Sequence, residues 1–381
     1  MIPPAAVCLN TASKRTVIEL DDKELFSYST DYGDGFDSGS SFDDNRDPEA
    51  PPKVRKGCLF KIISALLILT GLLLIASGIY IISVLSSVRY SKEYPDHTVA
   101  ENEGVVLRER SGVTNIMIFG EDNHEDGENG RSDSMIMLSV DDNSRKLRTV
   151  SFMRDLYVYI PGHGYDRLNA AYVYGGPKLT METIELNFGI RTQYFMTVDF
   201  NSFTDIIDSF GGIELELTAE EIDYINWQSF RNHQTDSEAE LDKSDYTFTE
   251  NSSGDMTATV KLSGRQALWY ARDRDSAGSD FDRTQRQRIV LDRIMTKLHD
   301  GGPINMLLAV RSLSKYLTTN FNPLELTSEG FSLIKALSYE REQYRTPTSD
   351  NYFDYWAGSA LVLAVADMEL ECQRLYEFLA I

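Results

Sequence analysis

Arg272, Arg274, Arg283, Arg286 and Arg288 crowd into the stretch from Trp269 to Arg288, in a chain whose formal net charge is -22. Guanidinium groups this close repel one another unless something anionic sits among them. Each offers a planar fork of donors that matches paired carboxylate or phosphate oxygens. Spacing alone leaves two readings open. Asp273, Asp275, Asp280 and Asp282 interleave with the arginines, and mixed-charge runs of this kind are usually solvated surface. The apolar text on either side, Ala267 to Tyr270 before and Ile289 to Leu291 after, favours arginines that face a pocket between buried elements.

Acidic candidates lie earlier in the chain. Asp122 and Asp133 bracket a polar, glycine-containing loop that also carries Arg131. Two carboxylates gathered at a strand end repel unless a cation separates them. Mg2+ needs few protein oxygens and completes its shell with water and phosphate. The plainer reading is that Asp-rich loops are turns. Arg154 and Asp155 close the next apolar run. Asp155 is either a proton acceptor for an attacking hydroxyl or the partner that holds Arg154 in place. His163 falls in the turn Pro161 to Gly164, and no Cys/His pair has the spacing of a zinc site.

These side chains need strand ends and helix starts to hold them. Asn115 to Gly120, Met135 to Val140, Arg148 to Phe152, Tyr194 to Val198 and Ile213 to Leu217 read as strands. Between them, Thr180 to Phe188 and Phe200 to Phe210 read as helices, and the run from Arg167 opens a helix that Gly175 and Gly176 close. Such alternation predicts a layered α/β domain. A helix from about Arg283 to His299 would place Arg283, Arg286 and Gln287 on one face, with Arg288 on a neighbouring one. Gln228 to Met256 is a polar, acidic excursion, and Ile304 to Ile381 is expected to add mainly helices.

Upstream, residues 1–52 are rich in Asp, Ser and Gly and hold too little apolar surface to offset the entropy of ordering. They are expected to be a disordered acidic tail. Residues 62–88 contain no charged side chain, enough to cross a ~30 Å hydrocarbon layer as a helix. Lys53, Arg55, Lys56 and Lys61 outnumber Arg89 and Lys92 on the far side, which predicts a cytoplasmic tail and an extracellular C-terminal part. Residues 89–113 then form a short connector and 114–381 the functional domain. The acidic balance argues against a nucleic-acid partner.

Several runs resemble the LytR-CpsA-Psr family of membrane-anchored Gram-positive envelope enzymes. They are Gly120-Glu121-Asp122, Arg131-Ser132-Asp133, Ser151 to Asp155, Leu168 to Gly176, Tyr270 to Arg274 and Asp280 to Gln287, in that order. Glu121 departs from the family pattern, where a small residue is common, and so does the acidic excursion. The resemblance implies an α-β-α layered sandwich around a central mixed sheet, preceded by one transmembrane helix. It further implies Mg2+ on Asp122 and Asp133, and a diphosphate gripped by Arg131, Arg154, Arg272, Arg274, Arg283 and Gln287. An apolar groove would take a polyprenyl tail. The implied activity is a Mg-dependent phosphotransferase moving a polyprenyl-pyrophosphate-linked glycopolymer (teichoic acid, capsule or similar) onto a peptidoglycan acceptor. Two alternatives share the site: a sensor that binds lipid-linked phosphate without turnover, and a pyrophosphatase of the lipid carrier.

Overall fold

The computed structural model describes residues 59–121, 130, 132–231, 240–244, 246–251, 253–274, 279–302, 311, 314 and 317–381. In chain order the elements are α1 (Leu59–Leu85), β1 (Arg89–Tyr90), α2 (Thr98–Asn102), β2 (Val113–Glu121), β3 (Ser132–Asp141), β4 (Lys146–Phe152), β5 (Tyr157–Ile160), β6 (Gly164–Arg167), α3 (Leu168–Phe188) and β7 (Tyr194–Asp199). There follow α4 (Phe200–Ser209), β8 (Ile213–Leu217), α5 (Ala219–Arg231), β9 (Thr249–Glu250), β10 (Met256–Leu262), α6 (Gly264–Arg272) and α7 (Asp280–Asp300). The chain closes with β11 (Thr318–Thr319), α8 (Pro323–Ala336), β12 (Glu340–Thr346), β13 (Tyr352–Ala357), β14 (Ala360–Val365) and α9 (Met368–Leu379).

Within α1, Ile62–Val84 is long and apolar enough to cross a bilayer, and its most apolar stretch is not buried against the rest of the chain. A water-soluble helix would have to hide so many leucines and isoleucines. The expected acidic tail, residues 1–52, lies outside the described residues.

The remaining chain is built on a seven-stranded mixed sheet in the order β1-β11-β7-β2-β3-β4-β12. Strands β2 and β7 run parallel, β3 is antiparallel to both its neighbours β2 and β4, and β12 runs parallel to β4. Period-two alternation in β3 and β4 sends side chains to opposite faces. Met135, Met137, Val150 and Phe152 join α3 and α9 in the main core, while Val140 and Leu147 meet Met295, Ala336 and Tyr339 of the α7–α8 side. The result is the α-β-α sandwich around a mixed sheet. A second core gathers β8, β10, α5, α6 and one side of α7.

Three segments depart from the expectations. Residues 89–113 supply β1, which pairs in parallel with β11 at the edge of the large sheet. The C-terminal segment, expected to be mainly helical, contributes β12 and the β13–β14 hairpin. Strand β12 shows no apolar alternation because its ladder is charged: Glu342 binds Lys146 and also Arg148 at 2.9 Å. Helix α5 runs on to Arg231, past the point where the sequence turns polar, because Ile222 and Ile225 are buried under it. The glycine pair behaves as read. Gly175 and Gly176 kink α3, and Gly176 sits at φ 63°, where a Cβ would be strained.

Candidate functional site

The carboxyl ends of β2, β4, β7 and β12 lie on one edge of the sheet, with the start of β3 beside them. The register places Glu121 opposite both Ser132 and Asp199, and Phe152 opposite both Met135 and Thr346. Ligands in open α/β sheets bind beyond such ends. Asp133 and the Arg154-Asp155 pair both fall there.

Arg154 is the centre of the arrangement. Its Nη1 donates to Asp133 at 2.9 Å, its Nε to Asp155 at 3.1 Å and its Nη2 to Asp280 at 3.2 Å. Asp280 is the first residue of α7, and the entry of that helix is fixed on several sides. Ser279 and Asp282 form its capping box. Phe281 packs on Tyr352 at 4.8 Å, with the Arg345 guanidinium 4.1 Å over its ring. Thr284 Oγ1 lies 3.3 Å from Met153 Sδ, tying the helix to the end of β4. Asp280 then gathers two more cations, Arg274 Nε at 3.6 Å and Arg283 Nη2 at 3.5 Å. Arg167, at the end of β6, reaches Asp155 at 3.5 Å.

The cluster holds more donors than its carboxylates can use. The Nε groups of Arg167 and Arg283 are buried and have no hydrogen-bond acceptor among the described residues. A buried donor without a partner costs roughly 1–3 kcal/mol, so a native site that leaves two invites an acceptor-rich ligand.

The charges show the same imbalance. Burial, then the neighbouring Arg154, pulls Arg283 down to about 10. Burial also acts against Arg154, but Asp155, Asp280 and Asp133 outweigh it and raise its pKa. Burial and a hydrogen bond to Asp280 raise Asp155 above the usual carboxylate range. Burial acts on Asp280 as well. There the hydrogen bond from Asp155, with Arg283, Arg154 and Arg274, reverses it and holds that carboxyl low. The two acids therefore differ in role: Asp280 stays ionised among the arginines while Asp155 holds a proton more readily.

Of the residues singled out from sequence, Arg154, Arg274, Arg283, Asp133 and Asp155 come together. Asp122 and Arg131 lie outside the described residues. Arg272 is exposed, with its guanidinium 4.3 Å over the ring of Phe200. It ends α6, which approaches α4 closely because Gly264 has no Cβ; one built there would lie 2.6 Å from the Thr204 Cα. Gln287 is half-buried one turn beyond Arg283. Arg286 leaves the face it was expected to share with Arg283 and points into the second core. There its Nε donates to Glu221 at 2.9 Å and its Nη1 to the Asp273 carbonyl at 3.1 Å. Arg167 and Asp280 belong to the cluster although the sequence reading gave neither a site role. The interleaved acids of the arginine run were the available signal for Asp280. The Glu121 carboxylate accepts a hydrogen bond from the Tyr172 hydroxyl, in the Leu168 to Gly176 run.

Magnesium is tested by the donors present. Among the described residues no group of three or more His, Cys, Asp or Glu side chains is placed to hold a metal. Asp133 stands at the strand edge with one oxygen bonded to Arg154, and Mg2+ can be held by one or two carboxylates with phosphate and water. The residues fit that mode and no richer one.

A mixed sheet sheathed by helices on both faces, with unsatisfied guanidinium donors at the carboxyl ends of its strands, defines an α/β fold with a candidate anion site. The chain belongs to the LytR-CpsA-Psr family, whose model (LytR_cpsA_psr) matches residues 79–369. It is 29% identical over 279 residues to the regulatory protein MsrR of Staphylococcus aureus, covering 72% of this chain and 77% of that protein. It is 31% identical over 244 residues to the polyisoprenyl-teichoic acid–peptidoglycan teichoic acid transferase TagU of Oceanobacillus iheyensis, covering 61% of this chain and 67% of that one. The fold is also that of TagT of B. subtilis, with a TM-score of 0.55 at 20% identity, over 77% of this chain and 99% of the other. A similar likeness, TM-score 0.54 at 21% identity over 77% and 100% of the chains, extends to TagT (YwtF) with bound octaprenyl pyrophosphate.

Proposed function

We propose that the protein is a membrane-anchored phosphotransferase that moves a glycopolymer from a polyprenyl diphosphate carrier onto peptidoglycan. The observation that carries this reading is the set of four arginines, two with buried unbonded donors, around Asp155 and Asp280 at the strand ends. Breaking a diphosphate develops negative charge on the leaving phosphate, and fixed guanidinium groups at that position stabilise it without reorganising. The relatives support the substrate class: one solved neighbour holds octaprenyl pyrophosphate, and TagU is named as a teichoic acid transferase.

In this reading an acceptor sugar hydroxyl attacks the phosphorus that carries the glycopolymer. A new P–O bond forms, the bridging P–O bond breaks, and polyprenyl phosphate leaves. Asp155 takes the hydroxyl proton; its raised pKa is the direction a base needs. Arg154, Arg274 and Arg283 hold the diphosphate, with Arg131, Arg272 and Gln287 as further contacts. Mg2+, held through Asp133 and Asp122, would supply charge neutralisation on the phosphate oxygens. The helix Ile62–Val84 keeps the enzyme beside a substrate that stays in the bilayer, which raises its effective concentration. Residues 1–52 lie in the cytoplasm and the catalytic part outside the cell.

The test uses the full chain in detergent micelles with a synthetic lipid-linked glycopolymer, Mg2+ and uncrosslinked peptidoglycan, with products analysed by mass spectrometry. A phosphodiester-linked conjugate is expected. Phosphate release with water as sole acceptor would make it a pyrophosphatase. Binding without any product would make it a sensor; the MsrR relative is named a regulatory protein.

A further inference from the structure

The β5–β6 hairpin is a small two-stranded sheet lying beside the candidate site. Its inner face is core, with Val158 and Ile160 fully buried. Its register puts Tyr157 opposite Arg167 and Tyr159 opposite Tyr165, so these four side chains share the outer face. Three of them are tyrosines in contact: Tyr157 and Tyr165 stand 5.7 Å apart by ring centroids, Tyr159 and Tyr165 5.3 Å. Tyr355 of the β13–β14 hairpin extends the row, 5.8 Å from Tyr157. Tyr159 and Tyr165 are 36% and 40% exposed, a costly way to deploy rings that no neighbour covers. The fourth side chain, Arg167, binds Asp155. The row therefore begins at the proposed base and runs outward over the surface.

We propose that this tyrosine row is the binding surface for the sugar rings of the acceptor glycan, an inference that rests on the phosphotransferase reading above. A pyranose presents a face of C–H groups with partial positive charge, which the negative face of an aromatic ring attracts, while a tyrosine hydroxyl can bond the equatorial hydroxyls at the ring edge. Successive positions on one strand face are about 7 Å apart, close to the size of one sugar ring, so the row spans a short oligosaccharide. Charge decides against the other surface that tyrosines favour, a bilayer interface. Attraction to anionic headgroups needs exposed Lys and Arg. On the outer face of the hairpin the one cation, Arg167, is engaged with Asp155. A neutral glycan needs no such attraction. Continuity with Asp155 adds direction, because a glycan lying along the row delivers a hydroxyl toward the carboxylate that accepts its proton.

The experiment measures binding of a chitotetraose probe, a neutral β-linked pyranose tetramer, to the full chain in detergent micelles. The affinity for octaprenyl pyrophosphate is measured on the same samples. Tyr159→Ala and Tyr165→Ala are each expected to weaken chitotetraose binding about tenfold, and Tyr165→Phe to keep it within twofold, since stacking needs the ring and not the hydroxyl. With lipid-linked substrate, the alanine variants should raise the acceptor KM with little change in kcat. Wild-type glycan affinity in both alanine variants overturns the proposal. So does a parallel fall in octaprenyl pyrophosphate affinity, which would mean the row only supports the arginine site. If instead the variants lose adsorption to phosphatidylglycerol vesicles and not to chitotetraose, the surface is a membrane contact. Failure of the phosphotransferase reading would look different: no conjugate from the wild-type chain, whatever chitotetraose does.

Discussion

The Arg154 guanidinium lies 3.2 Å from the carboxylate of Asp280, a residue 126 positions further along the chain. That contact joins the end of a central strand to the first turn of α7, and it brings the arginine-rich run to the sheet edge. Removing the guanidinium leaves Asp133, Asp155 and Asp280 facing one another with less cation between them. Arg154→Ala should lower transfer by at least about a hundredfold, and destabilise the fold by about 3 kcal/mol. Arg154→Lys should recover part of the stability and little of the rate, because one ammonium cannot serve three carboxylates in a planar fork. Transfer assays and urea midpoints on the two variants check this.

Arg283 and Arg286 stand one helical turn apart and should respond oppositely to truncation. Arg283 holds an incompletely satisfied, buried charge whose pKa has fallen to about 10. Arg283→Ala should weaken octaprenyl pyrophosphate binding about tenfold or more and leave the melting temperature unchanged or higher. Arg286→Ala strands Glu221 and the Asp273 carbonyl in the second core, and should cost about 3 kcal/mol of stability. Calorimetry and ligand titration on both variants separate the two roles.

The pH dependence follows from opposite shifts in two coupled acids. Asp155 is raised, so its contribution to stability is complete below the ordinary carboxylate range and is lost as pH rises through its folded value. Asp280 is lowered, so its contribution is present above the ordinary value and is lost as pH falls through its folded value. Asp155→Asn keeps a donor toward Asp280 but cannot ionise. Its melting temperature relative to the parent should therefore climb as pH rises above about 4. The same variant should lose the rise in transfer rate with pH that an Asp155 base produces. A melting-temperature difference independent of pH would remove the shift assigned to Asp155.

Metal removal tests the proposed Mg2+. Treatment with a chelator should abolish transfer, and added Mg2+ should restore it. Asp133→Ala should abolish the response, because Asp133 is a proposed ligand whose other oxygen binds Arg154 beside the diphosphate site. Direct titration of Mg2+ in the presence of octaprenyl pyrophosphate gives a readout independent of turnover. Binding should be tighter with the diphosphate present, since phosphate oxygens complete the shell.

The sequence by itself determined the features that depend on local pattern. The uncharged run at 62–88 can satisfy its backbone only as a helix once in lipid. The apolar runs of β2, β3, β4 and β7 are legible because central strands are buried on both faces. The Gly175-Gly176 break is legible because the backbone there takes a conformation that a Cβ resists. Strand β12 was hidden, since a charged ladder to Lys146 and Arg148 replaces the apolar alternation that marks a strand.

Only the tertiary structure decided which arginines converge. Arg283 and Arg286 are close in sequence at a spacing that permits one face, yet α7 presents one guanidinium to the strand-end cluster and the other to the second core. Arg283 meets Asp280 of its own helix, which Arg154 beyond β4 also binds, while Arg286 meets Glu221 of α5. The same holds for Arg167 and Asp155, joined across a hairpin, and for the tyrosines that line its outer face. Side-chain types declare what chemistry is possible. Which of them share a dielectric pocket, and so shift one another's charge, depends on long-range packing that no local spacing encodes.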